Sequence, residues 1–442
     1  MTRFLRVGSV ASVGQHALKL RRRETRPRRV TVRNASNSKI LGLKEISPAV
    51  GRVAIYLDSL QGYGADKVLV KITNGLAQKG VQVDLVVAKK PEHPVQELHP
   101  GVQVLNLGSS RKQILRNVLG LSRYLSIHQP DVLFSSIHFN NVTATTALAL
   151  SQVLSGVSSR LVLRQANTLR HHLKSYPFPV GHALGFCTRL SYKRADTIIS
   201  QSEGMSRDVK DFMKADPEKI RLIYNPTVTP DIFEKAQQPT NHVWFDQHTA
   251  PIVLAAGRLK PQKDFTTLIR AFADVKQTIP EARLVILGDG PQRQELETLA
   301  AELGIADSVD LPGFQRNPYA FIAMADMFIL SSRYEGLPNI LIEALALGKR
   351  IVATDCESGP AEILQQGKYG PLVPVGSRDR MADAIREALQ QPYACLRMPQ
   401  ATANFTQDTQ VEKYIRIFSN SPSKERQATS PELKPRLPEA SP

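Results

Sequence analysis

The chain has 442 residues, 42% hydrophobic and 22% charged, a globular composition too long for one ordinary core and sufficient for two α/β domains. No run of about 18 apolar residues exists to span a bilayer, and the separated Cys187, Cys356 and Cys395 suggest neither a disulfide framework nor a zinc site. Residues 1–50 carry 12 Lys and Arg against Glu24 and Glu45, ten of the seventeen net positive charges. The remainder is therefore only moderately basic, which suits phosphorylated ligands or an anionic membrane surface and makes a weak case for nucleic acid.

Residues 1–49 are Arg- and Ser-rich and nearly free of acids. Three readings stay open: an organelle transit peptide, a basic arm without fixed structure, or translation from an upstream start that is not used. Regular structure begins near Val50. Val53–Leu57 is a β-rich run, Gln61-Gly62-Tyr63-Gly64 a turn, Asp66–Gln78 a helix by apolar spacing, and Val81–Ala88 the next strand after Gly80. That is a βαβ unit on a parallel sheet. Strand Val102–Leu107, helix Ile114–Ile127 and strands Val132–Ser136, Arg160–Arg164 and Thr197–Ser200 continue it.

After Asn225-Pro226 a polar stretch to about Ala250 reads as the interdomain connection. A second alternation follows: strand Ile252–Ala256, helix Phe265–Gln277, strand Arg283–Leu287, helix Gln292–Leu303, and strands Ser308–Leu311 and Met327–Leu330. Helix Pro338–Leu347, strand Arg350–Ala353 and helices Met381–Leu389 and Gln410–Ser419 complete it. From Ser421 on, Pro, Ser and charge dominate without apolar periodicity, the composition of a disordered tail. The fold class is thus α/β, two doubly wound Rossmann-like domains facing a cleft, with strand C-terminal ends and helix N-termini turned toward it.

Strand Ile252–Ala256 runs into Gly257-Arg258-Leu259-Lys260-Pro261-Gln262-Lys263-Asp264. A glycine at a strand end lets backbone approach a ligand, and Arg258 and Lys263 place two cations at a helix mouth, as a departing pyrophosphate requires. Alone, that spacing is weak and reads more readily as solvated surface charge. Ser331-Ser332-Arg333-Tyr334-Glu335-Gly336-Leu337-Pro338-Asn339-Ile340-Leu341-Ile342-Glu343 then follows a strand and opens a helix, with Pro338 in its first turn. Glu343, set among apolar neighbours, is costly to bury without partners, and vicinal ribose hydroxyls are suitable ones.

The pair Glu335 and Glu343 with seven residues between, downstream of Gly-Arg-Leu-x₃-Lys and with Gly288-Asp289-Gly290-Pro291 between the two segments, resembles the retaining glycosyltransferase family 4, of two-domain GT-B fold. The similarity covers roughly Val50 to Ser419. It implies an acceptor-side domain over 50–240, a nucleotide-sugar domain over 241–405 and a C-terminal helix over 406–420. It implies that Arg258 and Lys263 neutralise the donor diphosphate, that Glu343 binds the ribose, and that Glu335 contacts the transferred sugar. Gly313-Phe314 then sits near the base, and Gly257, Gly288, Gly290, Gly336 and Leu337 line the donor, although Gly288 and Gly290 can equally serve only their turn. Gly62-Tyr63-Gly64 is similar to the family's first glycine loop, with Tyr63 interrupting it. His138 either orients a hydroxyl or packs in the rim. Ala166 stands where relatives often show His, so Arg164 or Gln165 must replace that contact or it is missing. Glu362 fits a helix N-terminus and Asn225-Pro226 a structural turn.

The resemblance implies front-face sugar transfer with retention, from a nucleotide sugar, UDP-linked by family habit, to a glycan or lipid-linked hydroxyl. No Asp-x-Asp motif is present, and the two cations can do a metal's work; no cofactor is expected. The basic helix with Arg111, Lys112, Arg116 and Arg123 and an apolar stripe from Ile114 to Leu121 reads as an outer helix of the domain or as a peripheral membrane contact, and basic Arg170–Arg194 as a surface for a phosphorylated lipid. Cytoplasmic placement follows unless the extension targets an organelle. An epimerase or hydrolase on the same scaffold, and a non-catalytic nucleotide-sugar binder, are the alternatives; a Rossmann dehydrogenase lacks its Gly-x-Gly-x-x-Gly.

Overall fold

The computed structural model describes residues 50–60, 64–89, 98–110, 113–166, 173, 176–391 and 399–419. The basic extension, the tail, Gly62, Tyr63, Arg111, Lys112, Cys395 and much of the 170–194 segment's start lie outside them. The first lobe is built on seven strands: β1 (Arg52–Leu57), β2 (Gln82–Val87), β3 (Val102–Asn106), β4 (Val132–Ser136), β5 (Arg160–Arg164), β6 (Thr197–Ser200) and β7 (Ile220–Leu222). All pair in parallel, in the order β3-β2-β1-β4-β5-β6-β7. The second lobe orders β8 (Ile252–Ala256), β9 (Arg283–Leu287), β10 (Val309–Gly313), β11 (Met327–Leu330), β12 (Arg350–Thr354) and β13 (Leu372–Val373) as β10-β9-β8-β11-β12-β13. Each sheet reverses its winding once, between β1 and β4 and between β8 and β11, and ligands of such sheets bind beyond the strand ends at that point.

Central strands such as Val53–Leu57 and Ile252–Ala256 are buried on both faces, because helices cover both sides. On one face of the first sheet lie α1 (Gly64–Gln78) and the C-terminal helix Gln407–Ser419; on the other lie α2 (Ile114–His128), α3 (His138–Ser155) and the helix Val180–Arg194.

Three sequence expectations change. The 226–250 stretch is not a plain connector: Ile232 and Phe245, on short helices Pro230–Lys235 and Val243–Gln247, are buried in the second lobe's core. The sequence pattern assigns no helix to 138–155, where Asn and Thr are poor helix formers. There Thr143, Thr145 and Thr146 return their hydroxyls to the carbonyls of Phe139, Asn141 and Val142, so each threonine hydroxyl is satisfied within the helix and α3 forms. Pro338 caps its helix in an extended conformation instead of entering the first turn.

The C-terminal helix belongs physically to the first lobe. Val411, Tyr414 and Phe418 join the core of β1, β2 and β4, with Tyr414 edge-on to Phe134 at 5.6 Å and Phe418 tilted against it at 5.7 Å. The chain thus crosses between lobes twice, and the two crossings are stitched together: Val228 N–H donates to the Phe405 carbonyl (2.9 Å) and Gln407 N–H to the Val228 carbonyl (3.0 Å). Both sheets belong to one compact unit.

Candidate active site

At the end of β8 three loops are drawn together by backbone hydrogen bonds. Gly257 N–H reaches the Leu287 carbonyl, Leu259 N–H the Asp289 carbonyl and Gly288 N–H the Gly313 carbonyl, each at 2.9 Å. The approach is too close for side chains. A Cβ on Gly288 (φ +131°) would stand 2.0 Å from the Gly257 carbonyl oxygen, and one on Gly290 2.3 Å from that of Leu259. The glycines are therefore demanded by loop packing, which in turn leaves bare backbone facing the cleft.

The next segment is clamped to the loop after β11. Arg333 N–H donates to the Gln262 carbonyl at 2.8 Å, Gln262 Nε2 to the Tyr334 carbonyl at 2.8 Å, and Ser331 Oγ to the Lys263 carbonyl at 2.7 Å. Asp264, left-handed at φ +51°, is buried and pairs with Arg333 at 3.2 Å. This double zipper sets Lys263 Nζ 2.5 Å from Glu335 Oε1, which also accepts from Ser332 Oγ at 2.6 Å. Arg258, by contrast, is exposed, with no hydrogen bond or ion pair among the described residues. Glu343 lies one turn into the helix Asn339–Ala346 and accepts from Tyr319 OH at 3.3 Å. Burial pushes its carboxyl above the ordinary range, and Lys71 and Lys67 of the first lobe oppose that shift.

The opposite wall comes from the first lobe. Gly64, Lys67, Val68 and Lys71 face the cleft from α1 at helical spacing. At the end of β5, Arg164 is fully buried and donates to Ser136 Oγ (3.0 Å), Gln201 Oε1 and Asn225 Oδ1 (both 2.5 Å). No carboxylate among the described residues pairs with it, and burial pulls its guanidinium below the usual range. Asn225 Nδ2 then donates across the cleft to Asn339 Oδ1 at 2.7 Å. The two walls enclose a cavity of about 670 Å³, lined by Lys71, Arg258, Lys263, Glu335 and Glu343 among others, large enough for a ligand of nucleotide-sugar size.

Residues 240–405 match the family described as glycosyl transferases group 1, and residues 63–229 match glycosyltransferase family 4. The lipopolysaccharide core biosynthesis glycosyltransferase LpsE of Rhizobium meliloti is 30% identical over 253 residues, 55% of this chain and 71% of its own length. The chain belongs to glycosyltransferase family 4. A Campylobacter jejuni N-acetylgalactosaminyltransferase is 26% identical over 359 residues, covering 77% of this chain and 90% of itself. In fold the glycosyltransferase is similar to HepE of Anabaena, with a TM-score of 0.60 at 19% identity over 84% of this chain and 95% of that one. The arrangement of the two lobes is the GT-B fold.

Within this glycosyltransferase the cavity wall brings together Gly64, Gly257, Arg258, Lys263, Gly288, Gly290, Phe314, Glu335, Gly336, Leu337 and Glu343. Gly62 lies outside the described residues. Two expected residues stand apart. Gly313 does not line the cavity but supports it, its carbonyl accepting from Gly288. His138 is buried at the start of α3, its ring 4.5 Å from that of Phe139, and does not reach the cavity wall. Ala166 does line the cavity; its carbonyl accepts from Gln201 Nε2 at 2.7 Å, while Gln165 turns away to Tyr192. Of the two proposed replacements, only Arg164 reaches the wall. Glu362 sits at a helix N-terminus as expected, and there it accepts from Glu203 N–H (3.1 Å) and Tyr224 OH (2.7 Å), tying the lobes together. Lys67, Lys71, Gln201, Asn225, Thr227 and Asn339 are lining residues that sequence reasoning missed as a group.

Proposed function

We propose that this glycosyltransferase moves a sugar from a nucleoside diphosphate sugar, a UDP-sugar first, to a hydroxyl of a glycan or lipid-linked acceptor, with retention of configuration. The observation that carries the reading is the convergence of Arg258, Lys263, Glu335 and Glu343 on one interlobe cavity. In this scheme Arg258 and Lys263 take up the negative charge that grows on the diphosphate as its bond to the anomeric carbon breaks. Glu343 receives the ribose hydroxyls, and Glu335, oriented by Lys263 and Ser332, receives hydroxyls of the sugar. The acceptor oxygen attacks from the face the diphosphate leaves, and its proton passes to the departing phosphate, so charge and atoms balance. HepE of Anabaena, similar in fold, is known in complex with UDP-glucose. The two cations supply the neutralisation that a metal supplies elsewhere, so activity is expected to survive EDTA.

The acceptor side is read from the same lobe. The C. jejuni relative is named for a diphospho-undecaprenol-linked substrate. In this chain α2, α3 and the helix Val180–Arg194 form one outer layer whose solvent side exposes Ile114, Leu115, Leu119, Ile127, Phe186 and Leu190. Val118, Leu121 and Leu125 of α2 are buried, so its stripe serves both core and surface. Arg116, Arg123, Arg189 and Lys193 lie on the same helices. No helix among the described residues is long and apolar enough to cross a membrane. We assign this layer to peripheral contact with an anionic membrane on its cytoplasmic side.

The decisive experiment is Lys263→Ala. Turnover with a UDP-sugar is expected to fall by about 10²–10³-fold with thermal unfolding unchanged; near-normal turnover refutes the assignment. Donor incubated without acceptor separates transfer from hydrolysis or epimerisation, and the product's anomeric NMR signal reports retention. Flotation with anionic liposomes at low salt tests the membrane face, and Leu115→Asp should abolish it.

A further inference from the structure

α1 contributes Lys67 and Lys71 to a cavity that Arg258 and Lys263 line from the second lobe. Lys71 is anchored there by a continuous chain of contacts. Its Nζ donates to the Thr227 carbonyl at 2.6 Å, Thr227 Oγ1 donates to Asn339 Oδ1 at 3.1 Å, and Asn339 is the first residue of the helix that carries Glu343. The Lys71 carbonyl is held in turn by Gln407 Nε2 of the C-terminal helix at 2.7 Å. The lysine is thus fixed from both interlobe crossings and directed at one helix of the second lobe.

Resting on the ribose role given to Glu343 above, we propose that Lys71 is a positioning residue for the donor: from across the cleft it keeps the Glu343 carboxylate ready to receive the ribose hydroxyls. Ionised, a carboxylate offers both oxygens as charge-assisted acceptors to a pair of hydroxyls, whereas a protonated one turns one oxygen into a donor. Burial works against ionisation at Glu343, and the groups facing it are few. Lys71 and Lys67 of α1 favour the charge, Tyr319 OH donates to it, and Asp231, paired with Lys235 at 2.8 Å, opposes it. Lys71 is the strongest favourable partner. Because that partner sits on the other lobe, donor affinity becomes coupled to lobe closure.

The test uses the full chain and calorimetric binding of UDP between pH 6 and pH 9. Lys71→Met keeps the length of the side chain and removes the charge. It is expected to weaken UDP about tenfold near pH 6.5, the loss shrinking as pH rises, because without the lysine Glu343 holds its proton to higher pH. Lys71→Arg should stay near the parent, and Lys71→Met should have no effect on 2′,3′-dideoxy-UDP or in a Glu343→Gln background. Equal weakening at every pH and with both nucleotides would mean plain attraction of a cation for phosphate and overturns the proposal, as does an unchanged affinity. If Glu343→Gln leaves UDP binding intact, or UDP does not bind, the ribose role of Glu343 falls first and takes this inference with it. If Glu343→Gln weakens UDP and Lys71→Met does not, only the role of Lys71 falls.

Discussion

On the second-lobe wall of the cleft Lys263 stands 2.5 Å from the Glu335 carboxylate, whereas on the first-lobe wall Arg164 is buried among the neutral oxygens of Ser136, Gln201 and Asn225. The first cation has a partner of opposite charge that lines the same cavity and can share it with a ligand. The second has only dipoles; those of Gln201 and Asn225 are held by further hydrogen bonds, and that of Asn225 continues across the cleft to Asn339. Both terminal nitrogens of the Arg164 guanidinium are hydrogen-bonded, although its buried Nε has no partner among the described residues, so Arg164 is suited to fixing the shape of a wall and Lys263 to meeting charge that appears during a reaction.

Substitutions on the two walls should separate those roles. Glu335→Ala is expected to lower turnover by about 10²–10³-fold with little change in the unfolding midpoint, since it removes a group aimed into the cavity. Arg164→Met should do the reverse. It orphans two buried oxygens, on Gln201 and Asn225, at about 1–3 kcal/mol each, and the surviving folded protein should turn over within about tenfold of the parent. Denaturant unfolding together with steady-state kinetics on both variants decides it. A large turnover loss in Arg164→Met without a stability loss would place Arg164 among the groups that meet substrate.

The same contrast explains what could be read from the sequence. The second wall was readable because its chemistry is contiguous at strand ends, Gly257 through Lys263 and Ser331 through Glu343, where a strand-to-helix loop must face the switch point of the sheet. The first wall gathers Lys67, Lys71, Arg164, Gln201, Asn225 and Thr227 from four segments, and no spacing rule joins segments that meet only in three dimensions. One signal was available: Lys67 and Lys71 fall with Gly64 and Val68 on one turn-to-turn face of α1, and a lysine pair beside a buried apolar stripe marks a cleft as well as a solvent face. The apolar stripe Val411, Tyr414 and Phe418 was equally visible, but nothing local says that the last helix returns to the first lobe.

Loop packing sets the next largest effect. Gly288→Ala puts a methyl about 2.0 Å from the Gly257 carbonyl oxygen at a backbone φ of +131°, so the β8 and β9 loops must separate. A loss on the order of 3 kcal/mol is expected, accompanied by weaker UDP binding because Gly257 and Arg258 move with their loop. Gly64→Ala is the matched control on the first wall: its Cβ meets nothing within 4 Å and its φ is ordinary, so stability should change by less than about 0.5 kcal/mol. Equal losses in the two variants would break the contrast between a packed second wall and an open first one.

The smallest effect concerns the clamp between the lobes. Burial raises the Glu362 carboxyl above its ordinary range despite the Tyr224 hydroxyl and the Glu203 N–H that donate to it. A carboxyl whose pKa is higher folded than unfolded binds its proton more tightly in the folded state, so its contribution to stability is present at low pH and is lost as pH rises through the raised value. Glu362→Gln cannot ionise. Its unfolding midpoint relative to the parent should therefore climb between pH 5 and pH 8, by about 1 kcal/mol or less in free energy, while Glu343, which has the same sign, cancels because both proteins contain it. A relative midpoint that falls with pH would mean that the two donors outweigh burial, and that an ionised Glu362 holds the lobes together instead of straining their contact.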